Sequence, residues 1–125
     1  SGAFFHHLYG DHPNRWALSL RGWDRLRVLT NIFTRVRYYR TDGGLALAEK
    51  RPPGRASPGL RPWFDLMGDA LAPWRVIFGH WSSLGLLSRP GFIALDTGCA
   101  WGGALTAVRF ETKTDNIAFV SCACS

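Results

Sequence analysis

The sequence has no run of the roughly 18 consecutive apolar residues that a membrane-spanning helix requires, and its first residues lack the basic-then-apolar pattern of a secretory signal. These two absences predict a cytoplasmic protein with no membrane partner. Cysteine is scarce, three residues, an odd number. Cys122 and Cys124 lie two apart on an expected strand, side by side on one face where bridging is geometrically poor, so reduced thiols are expected. A Cys-x-Cys pair is also half of a zinc site, but no second pair accompanies it. Acidic residues are few as well. Nine of them against 15 basic residues give a net charge of +6, which attracts polyanions, whether nucleic acid, membrane or a phosphate-rich small molecule.

What is present is hydrophobic material: 46% of 125 residues, enough to bury one real core and to exclude a disordered tail. The chain opens Ser1-Gly2 rather than Met and runs directly into Ala3-Phe4-Phe5, which predicts a natural upstream portion missing from it.

Residues 3–21 suggest a helix, a turn at Asp11-His12-Pro13-Asn14 and a second short helix opening near Trp16. From Trp23 to Tyr39, the positions Leu26, Leu29, Ile32, Phe33 and Val36 recur at helical spacing and predict an amphipathic helix. Asp42-Gly43-Gly44 predicts a hairpin turn, with Leu45 and Leu47 alternating in the return strand. Arg51 to Arg61, rich in Pro, Gly and Arg, reads as loop. A strand is expected from Trp74 to Phe78, a helix capped by Ser82 or Ser83, and further strands over Phe92 to Thr97, Ala104 to Glu111 and Asn116 to Cys122. The expected fold is α+β: N-terminal helices followed by a mostly antiparallel sheet. One domain accounts for residues 1–125, helical over 3–40, hairpin and loop over 38–62, and sheet over 63–125.

Two segments could carry chemistry. Val76-Ile77-Phe78 is an apolar strand that runs into Gly79-His80-Trp81. A glycine lets backbone pass close to a ligand, and a histidine at a strand end can offer a ring nitrogen to a metal. Taken alone, it is more often the pattern of a hydrogen-bonded structural histidine. The second segment, Ile93-Ala94-Leu95-Asp96-Thr97-Gly98, ends in the D-T-G of aspartic proteases, whose two carboxylates share a proton. Only one D-T-G is present, Cys99 replaces the usual small residue, and helices do not suit an all-β protease. Asp96 and Gly98 are instead expected to brace a tight turn beside the site.

The stretch from Val76 to Leu84 paired with that from Gly91 to Phe110 resembles the C-terminal signature of calcineurin-type metallophosphoesterases, and more narrowly the bacterial symmetrical diadenosine tetraphosphatase family. Tyr9 to Trp16, Thr30 to Tyr38 and Arg61 to Phe64 match it in the same order, so the resemblance spans nearly the whole chain from Phe4 to Phe110. It implies a four-layer α/β/β/α sandwich of which this chain is the C-terminal part. It also implies two divalent metals, manganese, cobalt or iron, that activate water for hydrolysis of diadenosine tetraphosphate to two ADP.

On that pattern His80 is a metal ligand, Arg35 and Arg37 of the T-R-x-R-Y motif are phosphate contacts, and Trp81, beside His80, is a base-stacking candidate, although neighbours on an extended segment point oppositely and Trp81 is equally suited to the core. Trp63 and Trp101 are expected to pack in the core. The family's other ligand motifs, G-D-x-H-G, G-D-x-V-D-R-G, G-N-H-E and H-A-G, do not occur; Gly10-Asp11-His12 lacks the required spacing, and Gly68-Asp69 is followed by Ala-Leu-Ala. The isolated chain is therefore expected to be inactive, to bind little or no metal, and to associate with itself or with the N-terminal half of the same protein. The rival reading is a basic, non-catalytic nucleic-acid-binding module, but its arginines are dispersed rather than gathered into a stripe, so no specific nucleic acid is expected.

Overall fold

The computed structural model describes residues 2–67, 74–111 and 116–124. It forms two compact units, residues 1–67 and 68–125. The Gly68-Asp69 pair lies outside the described residues. Small helices and mostly antiparallel strands make the α+β arrangement expected.

In the first unit, α1 (Gly2–Leu8) and α2 (Gly22–Thr34) pack together, with Trp23 stacked on His7 at 4.9 Å and set edge-on to Phe4. Arg27 ties the connection between them by donating to the carbonyls of His7 and His12. Near Trp16 there is no second helix but a single turn, closed by Leu20 N–H donating to Ala17. Helix α2 stops at Thr34, five residues before the expected end. The Asn31 carbonyl accepts from both Arg35 and Val36 N–H, and the β-branched and aromatic residues that follow prefer extended backbone. Its buried face is Val28 and Asn31, whereas Phe33, expected in the stripe, is 82% exposed.

Tyr38–Arg40 forms β1, and the turn after it is present: Asp42 accepts from Gly44 N–H at 2.9 Å. The return segment, however, makes only one bridge, Tyr39 to Leu45, because Leu45 N–H is taken by the Asn14 carbonyl. The full ladder of β1 is with β2 (Leu60–Pro62), antiparallel, which lies partly in the segment expected to be loop. α3 (Trp63–Met67) follows at once. Tyr38, Leu45, Leu47, Val28 and Phe64 make the core.

In the second unit, β3 (Val76–Phe78) lies parallel to the central strand β5 (Phe92–Ala94), and β4 (Leu87–Arg89) lies antiparallel on its other side. The helix expected at Ser82 is a turn, in which Leu84 and Gly85 N–H bond back to Trp81 and Ser82, and Gly85 takes a positive φ of 72° that ends it. Pro90-Gly91, with Gly91 at φ 82°, then closes a β4–β5 hairpin the sequence reading lacked. β6 (Ala104–Phe110) and β7 (Ile117–Ala123) pair over seven positions. Trp81, Phe92, Ile93 and Ala94 are the buried apolar residues here.

Candidate functional site

His80 stands immediately after the β3 register ends, in the left-handed region at φ 61°, the only positive-φ residue that is not glycine among those described. Phe78 accepts from Leu95 N–H at 2.9 Å, so β3 and the end of β5 remain zipped up to the site. The result is an open recess of about 400 Å³ lined by Ile77, Phe78, Gly79, His80, Leu95 and Asp96. A Cβ built on Gly79 would sit in ordinary contact with Asp96 Cβ, at 3.7 Å, so the fold itself tolerates a side chain there.

The Asp96-Thr97-Gly98 turn is braced by its own side chains. Asp96 Oδ1 accepts from Gly98 N–H at 3.2 Å, and Thr97 Oγ1 donates to the Ala104 carbonyl at 2.5 Å. Thr97, Thr106 and Ser121 hydroxyls form a chain at 2.7 and 2.6 Å that ties the turn to β6 and β7. Gly98 and Gly102 both take left-handed backbone on either side of the short 3-10 turn Cys99–Trp101. Gly103 donates to the Gly98 carbonyl, and a Cβ at 103 would collide with the Thr97 carbonyl, which makes glycine obligatory there.

The cysteine expectation is overturned at this turn. Cys99 and Cys124 form a disulfide, with Cα atoms 5.3 Å apart, while Cys122 is a free, exposed thiol. Cys122 and Cys124 are neighbours in sequence, but the β6–β7 ladder brings Cys124 back to the start of β6, where its N–H donates to the Gly103 carbonyl.

Of the tryptophans, Trp81 takes the core alternative and Trp101 departs from expectation. Trp81 is 2% exposed and packed into the core, so its ring faces are not open to a base. Trp101, expected in the core, is 84% exposed.

In the first unit, Arg35 is held by Asp11 at 2.9 Å and by Asn31 Oδ1 at 2.9 Å. Arg37 lies beyond the helix, its carbonyl accepting from Trp63 N–H at 3.0 Å, so the two arginines are not on one helix face. A separate recess of about 650 Å³ in this unit is lined by Asp11, His12, Arg40, Glu49, Lys50 and Arg51 among others, over buried Leu45 and Leu47. Arg40, at the end of β1, and Lys50 and Arg51, in a segment without periodicity, carry no sequence signal that would mark them as neighbours. Asp42 at its edge is held below the usual carboxylate range by the Gly44 N–H and then by Arg15 and Arg40. Burial, reinforced by the Glu49 charge, pushes the Tyr38 hydroxyl up to about 12, and it donates to the Arg51 carbonyl at 2.8 Å.

Among the described residues no three His, Cys, Asp or Glu side chains converge as a metal-holding group. What this chain contributes at the strand end is one imidazole beside one carboxylate. No helix among the described residues is long and apolar enough to cross a membrane.

No protein-family model matches the chain. Its sequence relatives are hydrolases, and the match runs through the His80 and Asp96 segments that build the recess. The chain is a homologue of part of the enzymes named bis(5'-nucleosyl)-tetraphosphatase, symmetrical. It is 48% identical to that of Delftia acidovorans over 107 residues, covering 86% of this chain and 38% of the relative. With the enzyme of Cellvibrio japonicus it shares 47% over 122 residues, 97% of this chain and 44% of the relative. With that of Methylobacillus flagellatus it shares 49% over 110 residues, 88% and 40%. The chain thus spans about two fifths of the length of the relatives it matches.

Proposed function

We propose that this chain is the C-terminal portion of an enzyme that splits diadenosine tetraphosphate into two ADP, and that His80 is one ligand of its dinuclear centre of manganese, cobalt or iron. The observation that carries the reading is the strand-end imidazole held in left-handed backbone over a recess shared with Asp96, in a chain 44–49% identical to enzymes of that name.

The donor set present does not by itself fit two metals, since a dinuclear site needs several further carboxylate, amide and imidazole ligands. What the chain's own residues do is local: the D-T-G turn holds Asp96 against the recess, and Arg35 and Arg37 offer guanidinium groups to a polyphosphate. Arg35 would exchange its Asp11 partner for phosphate. The remainder of the protein, the N-terminal half, would supply the other ligands and cover the outer face of β6 and β7, where Leu105 and Val120 are exposed. The isolated chain, with that face open, self-associates. The compartment proposed for the parent is the cytoplasm, where the Cys99–Cys124 pair would meet reducing conditions.

The test is made on the complete enzyme and on this chain separately. The complete enzyme should release ADP alone from diadenosine tetraphosphate, and His80→Ala should remove both bound metal and activity. Release of ATP and AMP, or full metal content in the variant, would refute the assignment. Stoichiometric metal and hydrolysis by the isolated chain would refute its dependence on the rest of the protein.

A further inference from the structure

We infer that Trp101 is the stacking surface for a purine base of the substrate, an assignment that rests on the dinucleotide reading above. Trp101 is the most exposed large apolar side chain among the described residues, at 84%. Indoles are efficient platforms for bases because every base offers a π face.

The backbone that carries it is tied down by hydrogen bonds within its own turn. The three-residue turn that carries it lies between two glycines in left-handed backbone, Gly98 at φ 77° and Gly102 at φ 79°. Trp101 N–H donates to the Gly98 carbonyl at 2.8 Å, Gly102 N–H to Cys99 at 3.1 Å, and Gly103 N–H to Gly98 at 2.9 Å. A base that lands on this ring therefore has little backbone freedom to freeze out.

The turn also borders the candidate site. Asp96, which lines the His80 recess, accepts from Gly98 N–H, and a Cβ on Gly98 would sit 3.7 Å from that of Ser82, two residues after His80. A nucleotide whose phosphates reach toward His80 has Trp101 as the exposed aromatic face on the same turn. Trp81, the sequence's own candidate, is in the core and cannot serve.

The experiment uses the complete enzyme with Trp101→Leu and Trp101→Phe, and compares ADP with inorganic diphosphate as inhibitors of diadenosine tetraphosphate hydrolysis. Stacking is worth on the order of 1–3 kcal/mol per base, about five- to 150-fold in affinity. The leucine variant should raise KM and the ADP inhibition constant by that factor, with the diphosphate constant unchanged and kcat altered less than about threefold. The phenylalanine variant should recover most of the loss. Equal weakening toward ADP and diphosphate, no weakening toward either, or a fall in melting temperature that shows the indole packed against the rest of the protein, would each overturn the assignment. Should the wild type fail to split the dinucleotide, the functional reading fails by itself. Quenching of Trp101 fluorescence by ADP, scored as wild type minus the phenylalanine variant, still decides for or against stacking.

Discussion

Glu49 and Arg51 are clasped side to side: Nε donates to Oε1 at 2.9 Å and Nη2 to Oε2 at 2.6 Å. The same carboxylate accepts from Ser57 N–H and Oγ, at 3.1 and 3.0 Å, and so gathers a loop that has no regular hydrogen-bond ladder of its own. Arg51 and the backbone amides hold Glu49 far below the usual carboxylate range.

A pH dependence follows from that shift. A carboxyl whose folded pKa is depressed contributes stability above its unfolded value, about 4.3, and loses it as pH falls toward the folded pKa. Glu49→Gln should therefore lower the melting temperature at pH 7, and the gap to wild type should close progressively below about pH 4. Thermal melts of both proteins from pH 7 to 2.5 check this; a gap that stays constant throughout would show that the charge is not responsible.

The two tryptophans of the second unit should part company in stability. Trp81→Ala removes a buried ring and should cost about 3–5 kcal/mol, whereas Trp101→Ala should stay within about 0.5 kcal/mol. Denaturant unfolding of the two variants measures the contrast, and equal losses would contradict the burial described here.

Reduction should be felt as well. The disulfide spans 25 residues of sequence, for which loop closure in the unfolded chain corresponds to about 3.5 kcal/mol. Thiol titration in denaturant should count one free thiol before reduction and three after, with a lower melting point in the reduced form. Three thiols in the untreated protein would exclude the bond.

How much of this was legible in the sequence depended on how local the signal was. The strand-end histidine, the D-T-G turn and the β6–β7 hairpin were readable because each is encoded by adjacent residues. The early end of α2 was not, since the competing preference of Val36 to Tyr39 for extended backbone overrides a stripe that is continuous on paper. The pairing of β1 with β2 escaped because its partner lies twenty-odd residues away behind a Pro-rich loop. Cys99 met Cys124 only through the ladder between them. The exposure of Trp101 is likewise a product of where two left-handed glycines point the chain.

Asn31 illustrates the opposite case, a polar residue buried in the α2 stripe. It is 1% exposed, donates Nδ2–H to the Gly10 carbonyl at 2.9 Å and accepts from Arg35. Asn31→Leu strands both partners and should cost about 1–3 kcal/mol while freeing Arg35. An unchanged unfolding midpoint would argue that water takes over both bonds.

His80 sits where a side chain is a handicap. A left-handed residue costs about 1–2 kcal/mol for any Cβ, so His80→Gly should be more stable than His80→Ala by about 1 kcal/mol. The position most comfortable for glycine is thus held by an imidazole; if the proposed metal role holds, folding and chemistry ask for different residues at this position. Ranking the glycine, alanine and histidine forms by melting temperature against metal content in the complete enzyme would trace that trade directly.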